Sequence, residues 1–126
     1  MASYYSALPI YTTSGNLGAL MKYPYLFNPQ GEWIGWVTPE GEVYSVHGDY
    51  VGWVSRDPRI LRTRNSSPGG RPKRTPPRYP PPLKPPSSVP LPPMMPELLY
   101  SVVDVLDDTP DLLPTVDAGE LREDMD

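Results

Sequence analysis

The chain has no cysteine. No disulfide can cross-link it, and no thiolate can act as nucleophile or metal ligand. Histidine occurs once, at His47, and phenylalanine once, at Phe27. A single imidazole leaves little scope for base-assisted catalysis, and any metal site would depend on carboxylates. No stretch approaches the roughly 18 consecutive apolar residues of a membrane-spanning helix. The N-terminus, MASYYSALPIYTT, lacks the basic start and continuous apolar core of a secretory signal. These absences set the expectation of a cytoplasmic protein without cofactor or enzymatic activity.

Proline is in excess. There are 20 in 126 residues, about three times the usual share. Thirteen of them fall between Pro68 and Pro96. A proline donates no backbone N–H, and the first half of that stretch has almost nothing apolar to bury. The chain therefore divides into a folded unit at 1–65, a proline-rich basic linker at 66–96 expected to be disordered, and a C-terminal segment at 97–126. A unit of about 60 residues buries a modest share of its surface. Oligomerisation is a common remedy, so a homo-oligomer is expected.

The formal charge of −4 conceals a gradient. Residues 1–55 carry Lys22 against Glu32, Glu40, Glu42 and Asp49. Residues 56–84 carry nine Lys/Arg against Asp57, and residues 85–126 carry ten Asp/Glu against Arg122. The basic stretch suits a polyanion such as nucleic acid or an anionic lipid surface. Aromatic interleaving is limited to Tyr79, however, and the acidic tail competes for the same charges. Pairing between the arms is the expectation.

One phrase is written twice. GEWIGWV, residues 31–37, returns as GDYVGWV, residues 48–54. Each copy follows a turn signal. Asn28-Pro29-Gln30-Gly31 and Thr38-Pro39-Glu40-Gly41 share x-P-x-G, with proline presetting φ and glycine at the exit. His47-Gly48-Asp49 reads as a third, tighter turn. Short β-forming runs between such turns make an antiparallel meander, with Tyr23–Phe27 a further strand at an edge or strand start. Strict alternation places Trp33, Gly35 and Val37 on one face and Ile34 and Trp36 on the other. The second copy then places Tyr50, Gly52 and Val54 opposite Val51 and Trp53. Both faces are apolar, so both need cover, and sheet packing across subunits is expected. Gly35 and Gly52 mark places where another backbone or ring comes close.

The run LFNPQGEWIGWVTPEGEVYSVHGDYVGWV, residues 26–54, resembles the small bacterial domain family called the 4-fold beta flower. Gly31, Gly35-Trp36, the Pro39–Glu42 turn, Tyr44, Gly48 and Gly52-Trp53 carry the resemblance. It implies short sheets arranged like petals and implies no established activity. Packing residues on this reading are Trp33, Ile34, Gly35, Trp36, Tyr44, Tyr50, Val51, Gly52 and Trp53. The alternative is an aromatic-strand module that stacks a carbohydrate or a quaternary amine on Trp33/Trp36 and Tyr50/Trp53.

Other chemistry is sparse. His47 reads as a solvated turn residue. Asp104, Asp107, Asp108 and Asp111 lack the glycine-centred spacing of a calcium loop and read as a solvated acidic face. Gly69-Gly70 is a lone pair and cradles no phosphate. Pro76-Pro77-Arg78-Tyr79 matches the P-P-x-Y pattern, and Arg74, Pro77 and Pro80 match a basic P-x-x-P ligand, on a stretch expected to act as a polyproline II spacer. Beyond it, Pro96 to Asp108 carries helix-start signals and an apolar stripe of Leu98, Leu99, Val102, Val103 and Leu106. That stripe suits a partner protein's groove or a return onto its own domain, and both stay open. The function expected is a non-enzymatic oligomerisation and protein-interaction module displaying this tethered C-terminal peptide.

Overall fold

The computed structural model describes residues 7–65 and 71–116. Tyr4, Tyr5, Gly69-Gly70 and the acidic tail from residue 117 lie outside the described residues.

Eight strands run in chain order: β1 Leu8–Tyr11, β2 Leu17–Lys22, β3 Tyr25–Phe27, β4 Trp33–Val37, β5 Glu42–Ser45, β6 Tyr50–Val54, β7 Ile60–Thr63 and β8 Val102–Asp104. Each pairs antiparallel with the next. The meander curls into a half-barrel. A short helix, α1 Val105–Asp108, and one 3₁₀ turn at Pro110–Leu112 follow. The main-β meander with a short C-terminal helix is the architecture the sequence predicts, and residues 7–22 add two strands to it.

One turn design recurs. Gly15, Gly31, Gly41 and Gly48 have φ of +94°, +88°, +85° and +90°. Each donates its N–H to the residue three positions earlier: Thr12, Asn28, Thr38 and Ser45, all at 2.9 Å. That earlier residue's side-chain oxygen accepts the N–H just past the glycine, at 3.0–3.3 Å. Such a side chain mimics a backbone acceptor and fixes the turn, and the left-handed φ is cheap only for glycine. The turn at Gly48 is therefore not tighter than the others. It uses the same five-residue frame, Ser45 to Asp49, without a proline to advertise it. Ser55 repeats the device at the β6–β7 turn, accepting from Arg59 N at 2.9 Å.

The frame also exposes a third copy of the phrase. Gly15-Asn16-Leu17-Gly18-Ala19-Leu20-Met21 stands where Gly31–Val37 and Gly48–Val54 stand in their hairpins. All three carry a bulge at the same place. The register skips Gly18 in β2, Ile34 in β4 and Val51 in β6. A bulge puts two residues opposite one and shifts the alternation by a residue.

This overturns the expected faces. Trp33 and Trp36 lie together on the outer face with Leu20, Phe27, Tyr44 and Val46. Ile34, Val37 and Val51 lie together inside the half-barrel with Ile10, Leu26 and Val43. Tyr50 opposes Tyr44, and Trp53 opposes Glu42, so these two also share the outer face. The glycine argument holds with a specific neighbour. A Cβ on Gly35 would stand 2.4 Å from Tyr44 O, and one on Gly52 2.0 Å from Leu61 O. The approaching group is the carbonyl of the adjacent strand.

The C-terminal segment differs from its expected helix. Val102 and Val103 extend the sheet as β8, and only Val105–Asp108 is helical. β-branched side chains favour that extension. Asp104 is the true N-cap, accepting from the N–H groups of Leu106 and Asp107. Val105 and Leu113 then fill the inside of the half-barrel. Val103 and Leu106 of the stripe thus return onto their own domain, while Leu99 stays exposed. The inner face is covered by the same chain, which removes the reason for expecting a second subunit there.

Candidate functional site: a self-occupied aromatic face

The bulges gather rings from β3 to β6 on the outer face. Tyr25 lies 6.4 Å from Phe27 and 6.2 Å, edge-on, from Trp33. Trp36 stacks on Tyr44 at 4.9 Å, and Tyr44 meets Tyr50 edge-on at 5.7 Å. The indole N–H groups are satisfied by backbone: Trp33 donates to Gly35 O at 2.7 Å and Trp36 to Ser45 O at 3.2 Å. With their polar edges fixed, the two indoles offer faces rather than hydrogen bonds.

Residues 71–83 lie against this surface, and farther along Pro90 and Pro96 are held by Tyr11 and Arg59 instead. The sequence predicts a free, disordered spacer here, and the structure shows an extended segment pinned at intervals. Prolines cannot donate to a sheet ladder, so the contacts are sporadic and use what remains. Arg74 N donates to Gly48 O at 3.0 Å and Leu83 N to Gly31 O at 3.4 Å. The carbonyls of Arg78 and Pro90 accept from Tyr25 Oη at 2.7 Å and Tyr11 Oη at 2.5 Å. Tyr79, from the P-P-x-Y pattern, meets the Trp33 ring edge-on at 5.1 Å. Pro80 is buried. Between arm and sheet lies a cleft of about 140 Å³, bounded by Phe27, Trp33, Tyr79 and Val116.

The two glycine contacts are close. A Cβ on Gly31 would stand 2.1 Å from Leu83 O, and one on Gly48 2.3 Å from Arg74 O. Gly15 and Gly41 have the same positive φ and nothing within 4 Å. Two of the four turns therefore serve as backbone docking points for the arm.

The arm's cations meet the rings and the acids around them. Arg71 Cζ is 3.8 Å from the Tyr50 ring centre. Arg74 Cζ is 5.3 Å from Tyr44 and 6.0 Å from Trp36. Glu42 takes Arg71 at 2.6 Å and Arg74 at 3.9 Å, and Asp49 takes Lys73 at 3.4 Å. Burial pushes the Tyr50 phenol pKa up, against the opposing pull of Arg71. The hydrogen bond that Arg71 donates to Glu42 pushes the already high Arg71 pKa further up.

A second polar cluster ties the first hairpin turn to the far end of the sheet. Arg59, expected on the basic arm, is only 2% exposed. It donates to Asp57 at 2.7 Å, to Thr13 Oγ1 at 3.0 Å and to Pro96 O at 3.0 Å. Asp57 loses solvation by burial, which raises its pKa. The hydrogen bonds from Arg59 and Ser55 outweigh that and leave it lowered. Asp104, 2% exposed, accepts from Thr13 N at 2.7 Å and Oγ1 at 2.6 Å. These contacts fasten the first hairpin turn to β8.

The residues singled out from sequence thus separate. Trp33, Trp36, Tyr44 and Tyr50 are brought together as a surface. Ile34 and Val51 are interior packing, and Gly35 and Gly52 are strand contacts. Trp53 is half-buried outside the ring cluster. Val103 is buried, Leu98, Val102 and Leu106 are half-buried, and Leu99 is 74% exposed. His47 is exposed on its turn. Among the described residues no group of three or more His, Cys, Asp or Glu could hold a metal, and no helix is long and apolar enough to cross a membrane. Glu42, Tyr25 and Arg71 were not legible as site residues, and Arg74 was singled out only within a basic P-x-x-P pattern. For Glu42 and Arg71 the only signal is opposite charge on the two sides of residue 55.

The chain matches no family model, no curated protein and no solved structure.

Proposed function

We propose that this chain is a non-enzymatic, cytoplasmic protein-interaction module whose aromatic outer face binds extended proline-rich chain. The observation that carries the reading is the arm itself. A proline-rich segment lies on an aromatic surface, with the Trp33 ring against Tyr79 and the Tyr25 hydroxyl on the Arg78 carbonyl. Preformed polyproline II docks on aromatic grooves in this manner because little entropy is lost on binding. The P-P-x-Y pattern and its reader then belong to one chain. The displayed C-terminal element shifts accordingly. Leu91, Met94, Leu99 and Tyr100 are the exposed apolar residues of that region, rather than a helical stripe.

The test replaces residues 75–86 of the full chain with a Gly/Ser sequence of equal length. This chain should bind a synthetic peptide of residues 71–90 with a saturable change in tryptophan fluorescence. The unaltered chain should bind it at least about tenfold more weakly, because a tethered competitor acts at millimolar effective concentration. Tyr79→Ala, which only uncovers Trp33, serves as a milder second variant. No saturable binding to either variant, with the strand signal in circular dichroism intact, refutes the reading.

Cations over Tyr50, Tyr44 and Trp36 favour a second reading over a sugar site, in which the same rings take a quaternary amine. Tetramethylammonium displacing the arm at millimolar concentration would support it.

A further inference from the structure

We infer that Glu42, Tyr50, Tyr44 and Trp36 form an arginine-reading site. It takes the guanidinium groups of an extended Arg-Pro-x-Arg segment on a partner protein. The chain's own Arg71-Pro72-Lys73-Arg74 fills the site until that partner displaces it. The inference rests on the peptide-groove reading and specifies its ligand.

Spacing is the first support. Polyproline II repeats every three residues, so side chains at i and i+3 share a face. Arg71 and Arg74 are so spaced, and both guanidiniums stand over rings. Lys73, off that face, turns to Asp49 instead. The patch therefore reads two cations at a fixed interval rather than general positive charge.

Chemistry is the second. Glu42 offers one oxygen to each guanidinium, Oε2 to Arg71 and Oε1 to Arg74. A planar, weakly hydrated guanidinium can lie on a ring and still donate in its plane to that carboxylate. An ammonium is more strongly hydrated and cannot do both as well. A quaternary amine has no N–H for Glu42 at all.

Preformation is the third. The rings are fixed by the sheet, not by the arm. Trp36 opposes Tyr44 across β4–β5 and donates to Ser45 O, and Tyr50 opposes Tyr44 across β5–β6. The present occupant is held loosely by comparison. Arg71 and Arg74 are 49% and 50% exposed, where ion pairs contribute little.

A partner rather than a second copy follows from competition. Each copy's arm is tethered beside its own patch and has the advantage of effective concentration. An identical arm from another copy adds no contact that would overcome it. A different segment, with the same two arginines and further contacts, does.

The experiment uses the full chain carrying Arg71→Ala and Arg74→Ala, which empties the patch and leaves the proline contacts. It is titrated with the peptide RPKRTPPRYP, and with the same peptide carrying lysine at its first and fourth positions. The arginine peptide should bind saturably, and the lysine peptide about fivefold more weakly. Adding Glu42→Gln should weaken the arginine peptide about threefold. Equal affinity for both peptides, or equal competition by tetramethylammonium and free arginine, overturns arginine reading while the groove stands. Absence of binding by either peptide, with the fold intact, overturns the arginine site; the groove falls as well only if the chain with the Gly/Ser replacement also fails to bind residues 71–90. If the unaltered chain shows a doubled mass by light scattering that the double variant loses, the occupant is a second copy and the partner assignment is wrong.

Discussion

Alanine placed at each of the four turn glycines separates the cost of a strained turn from the cost of losing the arm. Gly15, Gly31, Gly41 and Gly48 share φ between +85° and +94°. An L-residue there costs about 1–2 kcal/mol in backbone strain wherever it is placed. At Gly15 and Gly41 nothing else happens, because no atom lies within 4 Å of the added Cβ. At Gly31 and Gly48 the new methyl stands 2.1 Å and 2.3 Å from an arm carbonyl. Backbone atoms of a packed chain cannot yield that much, so the arm must lift. The hydrogen bond from Leu83 N or Arg74 N goes with it, a further loss of roughly 0.5–1.5 kcal/mol. The added cost has a ceiling, because the arm leaves once the clash exceeds its docking free energy. Urea unfolding should therefore give about 1–2 kcal/mol for Gly15→Ala and Gly41→Ala. It should give about 2–3 kcal/mol for Gly31→Ala and Gly48→Ala.

Trypsin supplies the second readout. Lys73, Arg74 and Arg78 are the cleavable basic residues of the arm, since Arg71 and Lys84 precede proline. Cleavage there should accelerate in Gly48→Ala and Gly31→Ala and stay at the unaltered rate in Gly15→Ala and Gly41→Ala. Equal arm cleavage in all four variants would refute the reasoning, because strain alone would then explain every effect.

Two further outcomes test the sheet and its polar lock. Gly52→Ala should cost about 2–3 kcal/mol, as overpacking against the Leu61 carbonyl forces β6 from β7. Gly18→Ala should cost less, because the nearest neighbour is the flexible end of the Leu106 side chain; equal losses in thermal unfolding would contradict the close strand approach. Asp57 has a lowered pKa in the folded state, so its contribution is present above its unfolded value of 3.8 and is lost as pH falls through the folded value. Asp57→Asn should cost roughly 3 kcal/mol at neutral pH by stranding the buried Arg59. It should also flatten the acid limb of stability against pH in urea titrations; an unchanged acid limb would show that the Asp57–Arg59 pair does not drive it.

Local rules made much of the sheet legible. The turns at Gly31 and Gly41 carry proline and glycine at their prescribed places, and the strands between them follow at once. The turn at Gly15 obeys the same rule through Thr12, but its hairpin has leucines where the others have tryptophan and tyrosine. Its likeness to the phrase emerges only when the turn frame is aligned. The C-terminal stripe misled because i, i+3, i+4 spacing also fits a β-branched strand running into a one-turn helix capped by Asp104.

By itself the sequence determined the meander, because turn chemistry and β-propensity act over four or five neighbouring residues. It also set the charge gradient that brings Arg71 and Arg74 to Glu42. Tertiary structure alone decided which residues share a face, since a bulge depends on the register of the neighbouring strand. It likewise decided that the proline-rich arm lies on the rings. An arm without backbone donors has no local pattern of its own, and its place is set by carbonyls, ring faces and two glycine turns far away in the chain.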